Sequence, residues 1–280
     1  MMKRILIPTD FSATAKNAIS LAMAIAKKEK STIYLLHVIE LNIQKFFEME
    51  GEFYNTEIEK KVIDQLLVDA NKKLNEQLKE LDLSHLKVEK IVEFGEPKYN
   101  IIEKINELAI DLVVMGTHGA TGIRESLIGS NVEKIIRNSP CPVIAIKHEM
   151  HLKDVKNIVF GSDFIEINDK VVQSLKQLQD LLQAHLILVR INTPNNFARD
   201  LEINVLKKKI LKRYMFVNAS TQSYNDLTIE AGLRHFAEDN DAQIIALATH
   251  GRKWLTHLAA GSIAEDMANH TTKAVWTYHF

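Results

Sequence analysis

The sequence predicts two α/β domains on one chain, each a doubly wound open parallel sheet. Three observations carry that prediction. Apolar, β-branched runs of strand length alternate with helical stripes along the chain, the pattern of a parallel sheet with helices on both faces. A glycine-rich stretch occurs twice: Gly116, Gly119, Gly129 and Ser130 recur as Ala248, Gly251, Gly261 and Ser262, at a constant offset of 132 residues. The start occurs twice as well, because Arg4 to Ser12 (RILIPTDFS) returns as Asn157 to Ile165 (NIVFGSDFI) and sets Asp163 against Asp10 at an offset of 153. A repeat this long means two copies of one unit. The polar stretch His148 to Asp154 separates them, which gives domains 1–148 and 154–280.

In chain order, Lys3 to Pro8 reads as a buried strand and Thr9-Asp10-Phe11-Ser12 as the turn after it, with Ser12 the helix N-cap. Ala15, Ala18, Ile19, Ala22, Ile25 and Ala26 form a helical stripe that ends at the charged run Lys27 to Lys30. Thr32 to Val38 is the next strand. Residues 40–55, with Phe46, Phe47, Phe53 and Tyr54, receive no assignment. Glu57 to Leu83 is a long helix, Val88 to Val92 a short strand, and Gly95-Glu96-Pro97 opens a helix carrying Ile101, Ile102, Ile105 and Leu108. Asp111 to Met115 is a strand that runs into the glycine stretch. Val132, Ile135 and Ile136 mark the helix leading out, and Val143 to Lys147 is the last strand of the first copy.

The second copy keeps this order. Val155 to Phe160 is a strand, Val171, Leu175, Leu178, Leu181 and Leu182 mark a helix, and Ala184 to Ile191 is a strand. Leu201 to Val217 is a basic helical stretch whose run Lys207 to Arg213 reads as a solvated face. His235 to Glu238 belongs to a later helix, Ala242 to Leu247 is an apolar lead-in, and Ala274 to Tyr278 closes the chain as a strand. The second copy is 21 residues shorter (153 − 132), the loss falling between its second strand and its glycine stretch.

Composition narrows the function. With 280 residues, 46% hydrophobic and 25% charged, the chain is an ordinary globular one with room for two cores. A formal net charge of −1 argues against electrostatic nucleic-acid binding. Cys141 is the single cysteine, so no internal disulfide forms, and a reducing compartment is expected. No apolar run reaches membrane-spanning length and the one after MMKR is too short for a signal peptide, so the expectation is a cytoplasmic protein without membrane contact.

The chemistry points to phosphate. A glycine at a strand end lets the backbone come close to a ligand. Gly129-Ser130 then opens a helix, whose N–H groups and positive dipole end favour an anion. Ser130 can bond a phosphate or cap the helix, and Asp10 can contact a ligand or cap the helix after its turn. His118 and His250 occupy matching loop positions where each can meet phosphate or a loop acceptor. No histidine pair has metal-ligand spacing, so no metal site is expected. The Walker A arrangement, a GxGxxG fingerprint and a Gly-x-Ser-x-Gly elbow are all absent, and no catalytic residue is assigned.

Gly116-x2-Gly119-x9-Gly129-Ser130, the start ILIPTDFS, Leu36-His37-Val38 and Ser139-Pro-Cys-Pro-Val-Ile together resemble the universal stress protein family in its tandem form. The resemblance implies a Rossmann-like, adenine nucleotide alpha hydrolase-like fold and ATP, with or without Mg2+, in the crevice at the carboxyl ends of the strands. By that resemblance Asp10 and the backbone of Val38 hold ribose and adenine beside Pro8 and Thr9. Gly116, Gly119, Gly129, Ser130 and Asn131 hold the phosphates, with Met115 and His118 beside them. It also implies pairing of Val143–Lys147 with Ala274–Tyr278 in an internal pseudo-dimer, and leaves a homodimer of the whole chain open.

The second copy departs from the pattern. Ala248 stands for the first glycine, Gly161-Ser162 for Pro8-Thr9, Arg190 for His37 and Ile191 for Val38. A second site would keep Asp163, Ile191, Gly251, Gly261 and Ser262, but the Ala248 methyl would crowd a phosphate or strain a turn needing positive φ. Two classes of function stay open: an ATP-binding regulatory module using the first crevice, or a non-enzymatic interaction protein whose crevices are vestigial or hold another small ligand. Slow ATP hydrolysis or a kinase-like activity ranks behind both.

Overall fold

The computed structural model describes residues 2–40, 56–79, 81–117, 129–249 and 260–280. Residues 41–55 of the unassigned stretch, His118, Gly119, His250 and Gly251 lie outside them. In chain order the strands are β1 (Arg4–Pro8), β2 (Thr32–Ile39), β3 (Lys87–Phe94), β4 (Leu112–Gly116), β5 (Val143–Ile146), β6 (Asn157–Gly161), β7 (His185–Asn192), β8 (Ala219–Asn225), β9 (Ile244–Thr249) and β10 (Ala274–His279). The helices are α1 (Ala13–Glu29), α2 (Thr56–Lys79), α3 (Pro97–Glu107), α4 (Ser130–Asn138), α5 (Asp169–Leu182), α6 (Asp200–Tyr214), α7 (Ile229–Asp239) and α8 (Ala260–His270).

Local chemistry sets the helix ends. Ser12 caps α1 by accepting the Ala15 N–H at 3.2 Å, and Lys30 ends it in the left-handed region at φ 56°. Lys27 and Lys28 in its last turn suit the negative dipole end. Pro97 sits at the start of α3, where a missing N–H costs nothing. Asn168 caps α5 through the Lys170 N–H, and Gln183 ends it at φ 53°.

Among the described residues the strands form one sheet in the order β3-β2-β1-β4-β5-β10-β9-β6-β7-β8. Every neighbouring pair is parallel except β5 with β10, which run antiparallel with Val275 opposite Ala145, Trp276 opposite Ile144 and Thr277 opposite Val143. The expected pairing of closing strands is therefore the seam of the molecule. Two doubly wound halves of order 3-2-1-4-5 meet there, and because the seam is antiparallel their carboxyl edges face opposite ways.

The core is two apolar layers, one on each face of the sheet, and each runs through both halves. One holds Ile19, Leu74, Val171, Ile203 and Trp276 under α1, α2, α5 and α6. The other holds Ile105, Ile135, Phe236 and Met267 under α3, α4, α7 and α8. On that second face Arg137 of α4 makes a two-pronged bond to Glu265 of α8, at 2.6 and 2.7 Å, tying the halves together.

Candidate functional site

The chain leaves β1 toward β2 on one side and enters β4 from the other, so β1 and β4 bound a topological switch point. Open α/β sheets bind ligands in the crevice beyond the strands at such a point. The turn after β1 forms one wall. The Asp10 carboxylate accepts the Ser12 N–H at 3.0 Å and the Thr9 hydroxyl accepts the Phe11 N–H at 3.1 Å. The second repeat copies both bonds: Asp163 accepts from Ile165 N–H at 2.9 Å, and Ser162 from Phe164 N–H at 3.0 Å. Phe11 and Phe164 both take left-handed backbone, at φ 67° and 65°. A bulky side chain pays of order 1–3 kcal/mol for that conformation, so each repeat stores strain at the same place.

Asp10 is exposed, while Thr9 is buried and donates its hydroxyl to Gln77 Oε1 at 2.9 Å. His37 donates through Nδ1 to the Thr9 carbonyl at 2.8 Å, and its ring lies 4.3 Å from that of Phe11. Burial holds its pKa below the ordinary value, with Lys73 pushing the same way against the Thr9 bond and Asp10, so the ring is neutral at neutral pH. Lys73 Nζ stands 5.4 Å from the centre of the Phe11 ring. Gln77 and Lys73 thus brace this turn from α2. Their signal in the sequence is a polar i, i+4 pair beside the apolar stripe Ala70, Leu74 and Leu78. In the second half α6 grips the matching turn through Tyr214, whose hydroxyl bonds both the N–H and the carbonyl of Ile167, and through Arg213 with Glu166.

The other wall is the start of α4. Gly129 is its N-cap at φ −61°, and its N–H bonds the Thr117 carbonyl at 2.9 Å. A glycine cap has no side chain to satisfy the first-turn N–H groups, which leaves the dipole end at Ser130 and Asn131 suited to an anion. Pro8 and Val38 are half-buried at the strand ends, and Met115 buries its side chain, so it has only main chain to present. In the second half Gly261 and Ser262 lie in the first turn of α8, and Asp163 lies in the copied turn.

Gly116 corrects the expectation about Ala248. Among the described glycines only Gly95 has positive φ, so positive φ is not what Gly116 provides. A Cβ on Gly116 would stand 2.5 Å from the Thr14 carbonyl carbon and 2.6 Å from its hydroxyl. In the second repeat Ile165 holds the place of Ser12, yet α5 is capped only at Asn168, so its first turn sits further along. The close neighbour has moved, and Ala248 packs half-buried against the core.

Cys141 is buried, and burial pushes its thiol up to about 12, which suits a packing residue rather than a nucleophile. Lys207 bonds Ser223 while Lys208, Lys209, Lys212 and Arg213 are exposed, as expected for a solvated helix face. Among the described residues no three His, Cys, Asp or Glu side chains come together in a metal-binding group. No described helix is long and apolar enough to cross a membrane.

The fold defines a duplicated, doubly wound α/β protein with a topological switch point in each half. A model of the universal stress protein family matches residues 1–147 and 228–279, and the chain belongs to that family. The universal stress protein MJ0577 of Methanocaldococcus jannaschii is 32% identical over 157 residues, 53% of this chain and 97% of that protein. The tandem form is shown by the universal stress protein Slr1230 of Synechocystis sp., 24% identical over 296 residues, 99% of this chain and 100% of that one. A universal stress protein from Archaeoglobus fulgidus shares the fold along the chain, with a TM-score of 0.73, 20% identity, and coverage of 100% of this chain and 99% of that one.

Proposed function

We propose that the chain is an ATP-binding regulatory module that holds nucleotide in the crevice of its first domain, 1–148, while the second, 154–280, holds it weakly or not at all. The observation that carries this reading is the pairing of two walls across one switch point: a strained turn bearing Asp10, and a helix start capped by glycine at Gly129. A carboxylate accepts hydrogen bonds from ribose hydroxyls, and a helix start without a side-chain cap receives phosphate. Asp10, Pro8, Thr9 and the backbone of Val38 would face the nucleoside. Met115, Gly116, His118, Gly119, Gly129, Ser130 and Asn131 would face the phosphates, with or without Mg2+. The role is binding that alters partners, in a reducing, cytoplasmic setting.

An interaction role is favoured by one further observation. Ile165, Phe197 and Leu201 stand 63, 71 and 76% exposed around the second crevice, where single large apolar groups give a partner something to cover. Mass spectrometry of the small molecules released on denaturing freshly purified protein separates the two readings. Adenine nucleotide near one per chain supports the first. No nucleotide released, together with no binding of added ATP, leaves the second.

A further inference from the structure

The two switch points differ in the side chain that reaches the turn after the first strand of each half. By the repeat, Arg190 of β7 stands where β2 has His37. His37 is short and reaches only the carbonyl of Thr9 beside it. Arg190 is longer and spans a gap: Nη1 donates to the Asp163 carbonyl at 3.1 Å and Nη2 to the Asn196 carbonyl at 3.1 Å. Asp163 belongs to the turn that, in the first repeat, would face ribose. Asn196 belongs to the loop after β7, on the side that would face the base. One guanidinium therefore joins the two segments between which a nucleoside would have to lie.

The surroundings fit a built-in occupant. Arg190 Nε is buried and has no hydrogen-bond partner among the described residues, so the group sits inside the gap and not across its mouth. The loop that receives Nη2 is closed on itself. Asn192 Oδ1 accepts the Ala198 N–H at 2.8 Å, and Asn196 Oδ1 accepts the Thr193 N–H at 2.7 Å and its hydroxyl at 3.0 Å. Ile191, at the place of Val38, is only 5% exposed, and a Cβ on Gly232 of α7 would come within 2.5 Å of its Cγ2. Helix α7 thus lies directly on the end of β7, whereas Val38 stays half-buried.

We propose that the Arg190 side chain is an internal occupant of the second crevice and the residue that excludes a nucleoside from it. The word nucleoside rests on the reading of the first crevice; the filling of the gap does not. The test uses the full chain with Ser162→Cys as a reporter, since Ser162 is 7% exposed at the base of the turn and Cys141, the native thiol, is buried. Maleimide labelling of the reporter chain is compared with the same chain carrying Arg190→His, the residue of the first repeat, or Arg190→Ala. Circular dichroism confirms that each is folded. Labelling at least tenfold faster in the folded Arg190→His or Arg190→Ala chain is expected, and rates within twofold of the parent in both would overturn the proposal. ATP titration of the same ligand-stripped chains separates the two readings. A second, weaker site appearing with Arg190→His supports exclusion of a nucleoside. Faster labelling with no ATP bound by any chain keeps Arg190 as occupant and ends the nucleotide reading. Faster labelling with an unchanged single site overturns Arg190 as the excluding residue.

Discussion

Ile144 and Trp276 face each other across the antiparallel seam, and at the offset of 132 they are the same position of the two repeats. The pseudo-twofold axis of the molecule passes between them. The pair is unequal, because isoleucine fills its side while the indole is wholly buried with an N–H that finds no partner among the described residues. One core layer runs through both halves at this seam, which predicts that they unfold together.

Truncating the seam should therefore be costly and felt by both halves. Trp276→Ala should lose about 3–5 kcal/mol as a large side chain leaves a closed core. Trp276→Phe should cost far less, because it also removes the unpartnered N–H, whose burial is itself unfavourable by about 1–3 kcal/mol. Urea denaturation of the full chain, followed by fluorescence and by circular dichroism, should give one transition in each case. Separated transitions would show that the halves fold independently.

The contact between Gly116 and Thr14 gives a second expectation. Gly116→Ala forces a methyl against main chain that α1 holds in place, and should destabilise by about 1–3 kcal/mol. Ala248→Gly should cost no more than about 1 kcal/mol, the ordinary penalty of glycine in a strand. Equal losses in thermal or urea unfolding would mean that the two strand ends are packed alike.

Acid should act through His37. Its pKa in the folded chain lies below the ordinary 6.5, with burial the largest cause. The folded state therefore binds the proton less well than the unfolded chain. The stability this provides is complete above about pH 6.5 and is lost as pH falls toward the folded value. His37→Asn, which keeps a donor for the Thr9 carbonyl, should lose less stability than the parent between neutral pH and about pH 5. Parallel losses in urea denaturation at the two pH values would remove His37 from the account.

Much of this molecule is written in its sequence, and particular residues show why. The constant offset from Gly129-Ser130 to Gly261-Ser262 exposes the duplication, and buried runs such as Leu112 to Met115 announce central strands. Strand β8 (ASTQSYN) escapes notice because it is an edge strand, none of whose residues is buried, so no alternation of apolar residues marks it. Ser12 as cap is readable because capping is local chemistry. The reason for Gly116 is not, because Thr14 meets it through the fold and not along the chain. Arg190 likewise looks like any surface arginine until Asp163 and Asn196 are brought to either side of it.

The central claim is one nucleotide in the first crevice, and calorimetric titration of ATP into ligand-stripped full-length chain tests it most directly. The account predicts about one tight site per chain, weakened by about 1–3 kcal/mol in Asp10→Ala, the cost of losing hydrogen bonds to a charged group, and unchanged in Asp163→Ala. Two equal sites, or a tight site lost with Asp163 and indifferent to Asp10, would contradict it.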